Sequence, residues 1–87
     1  MRCYLLIFNK LFGSRLEAIE IVKQISIVES WRCDMPGAIY IKSESCAQAL
    51  CDEIRKVRSS GRFLVCELSG NRQGYLTKDT WDFFKIK

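Results

Sequence analysis

Residues 2–9 read RCYLLIFN, and this short stretch decides the fold of the chain. Successive side chains of a strand point to opposite faces, and both sets are apolar here. One set is Cys3, Leu5 and Ile7, and the other is Tyr4, Leu6 and Phe8. A strand that is apolar on both sides is covered on both sides. The sequence therefore predicts a central first strand with packed structure above and below it.

Turn and capping residues divide the rest of the chain into elements. Ser14 with Glu17 three residues later is a capping box, and it predicts a helix that begins at Arg15. Pro36 and Gly37 fit a type II turn between the two strands of a hairpin. In chain order, the predicted elements are strand 2–9, a helix over 15–25, strands 27–33 and 38–42, a helix capped by Ser43 or Ser45 and ended by Gly61, strand 62–68, and a short helix capped by Thr77.

This order is the split βαβ pattern of the ferredoxin-like fold, an α+β architecture. It predicts a four-stranded antiparallel sheet with the first and third strands in the centre and both long helices on one face. We expect one domain over residues 1–87, in which residues 70–87 form a C-terminal strand or helix extension. The large apolar residues of the extension should cover the second sheet face, on their own chain or on a partner. They are Tyr75, Leu76, Trp81, Phe83 and Phe84.

The second sheet face is also the predicted site of self-association. Tyr4, Leu6 and Phe8 are assigned to this face, and together with Trp81 they form the expected dimer surface. The extension is too short to cover the whole face, and pairing of strand edges would hide unpaired backbone groups. The sequence therefore predicts a homodimer.

Composition limits the classes of protein to consider. The chain has 48% hydrophobic residues and a net charge of +4, which permits a nucleic acid or an acidic protein as partner. Its longest apolar run, residues 3–8, is too short to cross a membrane and lacks a signal-peptide cleavage region. Five cysteines without C-x-x-C spacing favour reduced thiols in the cytoplasm, and the lack of histidine excludes a Cys/His zinc site. We expect no cofactor, no bound metal and no catalytic residue.

A basic cluster is the candidate nucleic-acid-binding surface. It consists of Arg55, Lys56, Arg58, Arg62 and Arg72. Such clusters bind phosphates with release of counterions, although a solvated helix end that complements the helix dipole would explain three of the five. Arg72 lies beyond the far end of the fourth strand. It is roughly 20 Å from the other residues of the cluster, at about 3.3 Å per strand residue. A continuous surface therefore requires a loop that folds back or a second subunit.

Two further groups carry alternatives. Trp31 and Tyr40 could stack on bases if they lie outside the helix-covered face, or they could pack against the extension or a partner. Glu67, Asp79 and Asp82 could converge as an acidic site, but their spacing matches no metal motif. Asp79 also suits the N-terminus of a helix.

Three segments carry a resemblance over most of the chain: YLLIFN, ESWRCDMPGAIYIKSESCAQAL and GRFLVCELSGNRQGYLTKDTWDFF. The matching residues are Tyr4, Leu5, Ile7, Trp31, Ile39, Ile41, Ser43, Ser45, Leu64, Val65, Glu67, Gly74, Leu76 and Trp81. On these residues the chain resembles the SinR-like family of small bacterial proteins. That family is grouped with small ferredoxin-like CRISPR-associated nucleases and with related toxin–antitoxin proteins.

In the nuclease branch of this group, the first strand ends in an aspartate that binds metal between two subunits. This chain has Asn9 and Lys10 there. A neutral amide is a weak ligand for Mg²⁺, and a neighbouring lysine repels a cation. We therefore expect a small, non-catalytic, dimeric bacterial protein that binds nucleic acid or a protein partner. The alternatives are a metal-dependent nuclease of the CRISPR-associated or toxin–antitoxin type, and a pure protein–protein inhibitor or antitoxin.

Overall fold

The computed structural model describes residues 1–85, so the last two residues of the predicted 70–87 extension lie outside the described part. In chain order, the elements are β1 (Arg2–Phe8), α1 (Arg15–Lys23), β2 (Ser30–Met35), β3 (Ala38–Ser43), α2 (Ala47–Val57), β4 (Phe63–Glu67) and α3 (Lys78–Phe84). The strands form one antiparallel sheet in the order β2-β3-β1-β4. The predicted α+β architecture is confirmed, and the order of elements is compatible with the ferredoxin-like pattern. None of the helices within residues 1–85 has the length and apolar composition needed to cross a membrane.

β1 lies inside the sheet and is packed on both faces, as its alternation predicts, except at Ile7, which is 44% exposed. Tyr4, Leu6 and Phe8 point toward α1 and α2 and are buried in the main core. Their assignment to an open dimer surface is therefore corrected. The alternation predicts two apolar faces but does not say which of them packs against the helices. Here the face with the larger side chains packs against α1 and α2. The Tyr4 hydroxyl donates to the Ser45 carbonyl at 2.5 Å, so the polar end of this ring is satisfied.

The opposite face of the sheet, here called the α3 face, is covered by the C-terminal helix. Phe84 is buried against Cys3 and Tyr40, and its ring meets the Tyr40 ring edge-on with centroids 4.9 Å apart. Trp81 is half-buried and contacts Phe84 with centroids 5.5 Å apart. The extension thus packs on the sheet of its own chain, but Tyr75 is fully exposed and Ile7 and Leu64 at one end of this face stay uncovered.

The helices begin where local hydrogen bonds satisfy their first N–H groups. Ser14 and Glu17 form the predicted capping box of α1. Thr77 caps α3, also as predicted. α2 begins after Cys46, whose side chain makes no capping bond. The predicted serine cap of α2 is wrong, because the Ser43 hydroxyl is buried and donates instead to a carbonyl of the loop before β2 at 2.6 Å.

The two edges of the sheet differ. β2 has a register shift between Cys33 and Met35, carries Arg32 and Asp34, and is followed by Pro36. β4 pairs with β1 without a shift, and its sequence FLVCE has one charge, at its end. Bulges, charges and proline protect a strand edge from pairing with another chain. β2 is therefore a guarded edge, and β4 is an open one.

Candidate functional site

The loop after β1 and the start of β4 are joined at Asn9. Its side-chain Oδ1 accepts the backbone N–H of Phe12 at 3.2 Å and that of Arg62 at 3.0 Å. Its own backbone N–H donates to the Arg62 carbonyl at 3.1 Å. Both hydrogen bonds of this oxygen are therefore made within the chain. Asn9 is therefore explained as a link between two loops.

Two more contacts close this junction. Gly61 has φ of +83°, and a Cβ there would lie 2.1 Å from the backbone nitrogen of Phe12, so only glycine allows the loops to approach this closely. The Arg58 Nε donates to the Phe12 carbonyl at 2.5 Å, and the Ser60 hydroxyl donates to the Leu11 carbonyl at 3.4 Å. Arg58 is half-buried and holds the end of α2 to the loop after β1.

The junction brings four of the five predicted nucleic-acid-binding residues to one end of the molecule, here called the basic end. They are Arg55 and Lys56 of the last turn of α2, together with Arg58 and Arg62. Arg55 and Arg62 are exposed and make no ion pair within residues 1–85. Lys56 binds Glu53 at 2.9 Å, and this hydrogen bond raises the pKa of Lys56. Lys10, in the loop after β1, adds an exposed cation.

Arg72 lies elsewhere. The far end of β4 is fixed where the Leu68 N–H donates to the Cys3 carbonyl at 2.8 Å, and Arg72 follows on the α3 face. Its guanidinium donates to the carbonyls of Ser69 at 2.5 Å and Phe84 at 3.5 Å, and its central carbon lies 5.2 Å from the Phe84 ring centroid. Within one chain, the predicted five-residue surface is therefore not continuous.

α3 also occupies the face on which base stacking was considered. Tyr40 is 4% exposed and packs against α3, which confirms the packing alternative for this residue. The Arg32 Nε donates to the Thr80 hydroxyl at 2.6 Å, and the Lys42 ammonium lies 4.4 Å from the centroid of an α3 phenyl ring. Trp31 is on the opposite face, because it pairs with a β3 residue of the main core. The two aromatic residues therefore do not share a surface.

The acidic candidates have separate structural settings. Asp82 pairs with Lys78 at 3.1 Å and Lys85 at 3.5 Å, and the hydrogen bond from Lys78 lowers the pKa of Asp82. Asp79 lies in the first turn of α3, where a helix favours negative charge. Glu67 ends β4. Within residues 1–85, no three cysteine, aspartate or glutamate side chains are placed to hold a metal ion.

Sequence reasoning missed an exposed apolar surface beside β4. Ile7 and Leu64 are register partners on the α3 face, and they are 44% and 59% exposed. β4 also has unpaired backbone groups along its outer side. Since Arg62 and Leu68 direct their backbone groups toward β1, the alternate residues direct theirs away from the sheet. These outward residues are Phe63, Val65 and Glu67. In the sequence, the short length of the extension was the one feature that indicated an uncovered part of this sheet face.

A scan against protein-family models and searches of curated proteins and of solved structures gave no match. Two features of the molecule remain as candidates for a function. One is the open β4 edge with the apolar surface of Ile7 and Leu64, and the other is the basic end.

Proposed function

We propose that this protein acts by binding, as a homodimer that pairs through the β4 edge. The observation that carries the proposal is the contrast between the edges: β4 lacks the register shift, the internal charges and the proline that guard β2. An unguarded strand edge is a template for pairing with another strand. We also propose the ferredoxin-like fold, which the element order and the sheet order β2-β3-β1-β4 support.

The register of β4 suits a copy of itself. In an antiparallel pair about a two-fold axis at Val65, Val65 faces its own copy and Phe63 faces the partner's Glu67. Each outward N–H and C=O of these residues then has a partner, and the two sheets become continuous. On the α3 face, Leu64 lies against the partner's Cys66, so this exposed side chain gains an apolar neighbour across the strands.

The test is a pair of substitutions at one position. Val65→Pro removes an outward N–H without touching the ladder to β1, and proline is tolerated on strand edges. Val65→Ala removes similar side-chain contacts but keeps the N–H. Light scattering at micromolar concentration should give about twice the chain mass of 10.1 kDa for the native protein and for Val65→Ala, and the single mass for Val65→Pro. A monomeric native protein, or a dimeric Val65→Pro variant with native circular dichroism, would contradict the proposal.

A second candidate function is binding of a nucleic acid at the basic end. The favouring observation is the junction, which brings Arg55 and Arg62 to one exposed end together with Lys10. The proposed dimer strengthens this candidate. Antiparallel pairing of β4 places Arg62 beside the partner's Leu68, and the partner's Arg72 follows shortly after. The second subunit could thus supply the residue that the single chain leaves apart.

The test of this candidate uses single-stranded RNA and a charge-matched control. Arg55→Glu with Arg62→Glu should weaken binding at 50 mM salt and reduce the slope of log affinity against log salt by about 1.4, at about 0.7 per phosphate contact. Arg58 is left intact because it holds the junction. Lys23→Glu with Lys78→Glu changes the net charge equally at other places and should leave the slope unchanged. Absence of RNA and DNA binding at 50 mM salt would leave a protein partner as the ligand.

Catalysis is not part of the proposal, because Asn9 is engaged by two backbone N–H groups where the resembling nucleases use a metal-binding aspartate. We also propose that the chain is related to SinR-like proteins. Cleavage of RNA or DNA in the presence of Mg²⁺, retained after Asn9→Ala and lost with Glu67→Gln, would favour the nuclease alternative instead.

A further inference from the structure

A cavity of about 340 Å³ lies between the sheet and the segment that leads into α3. Its wall is mainly apolar and aromatic, with Leu5 and Tyr40 from the sheet and Trp81 and Phe84 from α3. Small-molecule sites are typically of this size and composition, with a few polar groups that fix the orientation of the ligand. The cavity presents two such groups, from Arg72 and Tyr40.

The first polar group is the guanidinium of Arg72. It is held by the Phe84 ring and by two backbone carbonyls, and within residues 1–85 it has no carboxylate partner. A guanidinium carries five N–H donors, so donors are left beyond the two hydrogen bonds that position it. A half-buried cation on an apolar wall is complementary to a carboxylate, with which arginine forms bidentate pairs.

The second polar group is the hydroxyl of Tyr40. The residue is 4% exposed, yet its hydroxyl makes no hydrogen bond to another part of residues 1–85. No fully enclosed side-chain oxygen or nitrogen of the described residues lacks a partner, so this hydroxyl is not fully enclosed, and Tyr40 is one of the residues that line the cavity. Burial raises the pKa of Tyr40, so the hydroxyl keeps its proton and can donate.

From these observations we propose that the cavity binds a small amphipathic carboxylate, with its apolar body on Leu5, Trp81 and Phe84 and its head group on Arg72. Asp34 sets the orientation. It lies in the adjoining depression with Met35 and Tyr75, and its charge repels an anion at that end. The carboxylate therefore points toward Arg72 and away from the Tyr40 hydroxyl, on which the charge of Asp34 acts.

The experiment uses three ligands that share one tail: octanoate, octan-1-ol and octylamine. Trp81 lines the cavity, and in a Trp31→Phe protein it is the one remaining tryptophan, so its fluorescence reports binding. Octanoate should bind at least about tenfold more tightly than octan-1-ol, and octylamine should bind more weakly than either. This order needs no substitution in the cavity. Equal affinities of octanoate and octan-1-ol, or no response to octanoate at millimolar concentration, would overturn the proposal.

Matched variants locate the head group. Arg72→Gln should remove the preference for octanoate over octan-1-ol. Arg62→Gln is the control, because Arg62 lies beside the exposed surface of Ile7 and Leu64, where a fatty acid could also bind. Loss of binding in Arg62→Gln with normal binding in Arg72→Gln would place the ligand on that surface and refute the cavity site. Light scattering of each variant separates this outcome from a failure of the proposed dimer.

Discussion

Replacing Gly61 with alanine tests the junction that forms the basic end. The positive φ of +83° costs about 1–2 kcal/mol for a residue with a side chain. The new Cβ would also lie 2.1 Å from the nitrogen and 2.4 Å from the Cα of Phe12, so the backbone there must move. That movement strains the hydrogen bonds of Phe12 with Asn9 and Arg58, each worth about 0.5–1.5 kcal/mol. The sum is a loss of about 2–5 kcal/mol in the free energy of unfolding.

Two other glycines serve as controls in urea denaturation. Gly37 has nearly the same φ, +81°, but a Cβ there meets only the Phe8 carbonyl at 3.4 Å, so Gly37→Ala should cost about 1–2 kcal/mol. Gly70 has open space around it, and Gly70→Ala should change stability by less than about 0.5 kcal/mol. The midpoints should shift in that order at an unchanged slope. If Gly61→Ala costs no more than Gly37→Ala, the close contact with Phe12 does not exist in solution.

Three further predictions concern the link at Asn9 and the cover of the α3 face. Asn9→Asp keeps an acceptor oxygen and should fold normally, whereas Asn9→Ala leaves two backbone N–H groups without their acceptor and should cost about 1–3 kcal/mol in urea denaturation; equal stabilities would contradict the link. Phe84→Ala should cost about 3–5 kcal/mol and Trp81→Ala clearly less, because Phe84 is buried whereas Trp81 is half-buried. The reverse order of melting temperatures would mean that α3 is docked differently. Cys46 should react with a thiol reagent in the native state, while Cys3, which is 2% exposed and whose pKa is raised by burial, should react only on unfolding; mass spectrometry of the labelled protein distinguishes them, and rapid labelling of Cys3 would argue against the α3 cover.

Local signals in the sequence were sufficient for the elements of this fold. The capping box at Ser14 and the positive φ of Gly37 both occur where the residue types require them. The alternation in β1 predicted that both faces are covered. It did not predict which face packs against the helices, because both sets of alternate side chains are apolar. That choice depends on the volume available under α1 and α2, and it reversed the expected roles of Tyr4 and Leu6.

The candidate sites were harder to predict because they depend on contacts between distant segments. Asn9 and Arg62 are joined by side-chain and backbone hydrogen bonds that no spacing rule encodes. Arg72 was grouped with the other cations by charge alone, whereas its position is decided by the Phe84 ring and by backbone carbonyls. The exposed Leu64 could have been inferred only by comparing the size of the extension with the area of the sheet.

The irregular edge of β2 sets the size that an assembly of this protein can reach. The proposed pairing through β4 would use the open edge of each copy and leave a β2 strand at both outer ends of the joined sheet. A strand added there would meet the register shift between Cys33 and Met35 and the charges of Arg32 and Asp34. In the proposed dimer, growth should therefore stop at two copies, and the concentrated protein should stay in solution instead of extending into the fibres that a sheet with two bare edges can form.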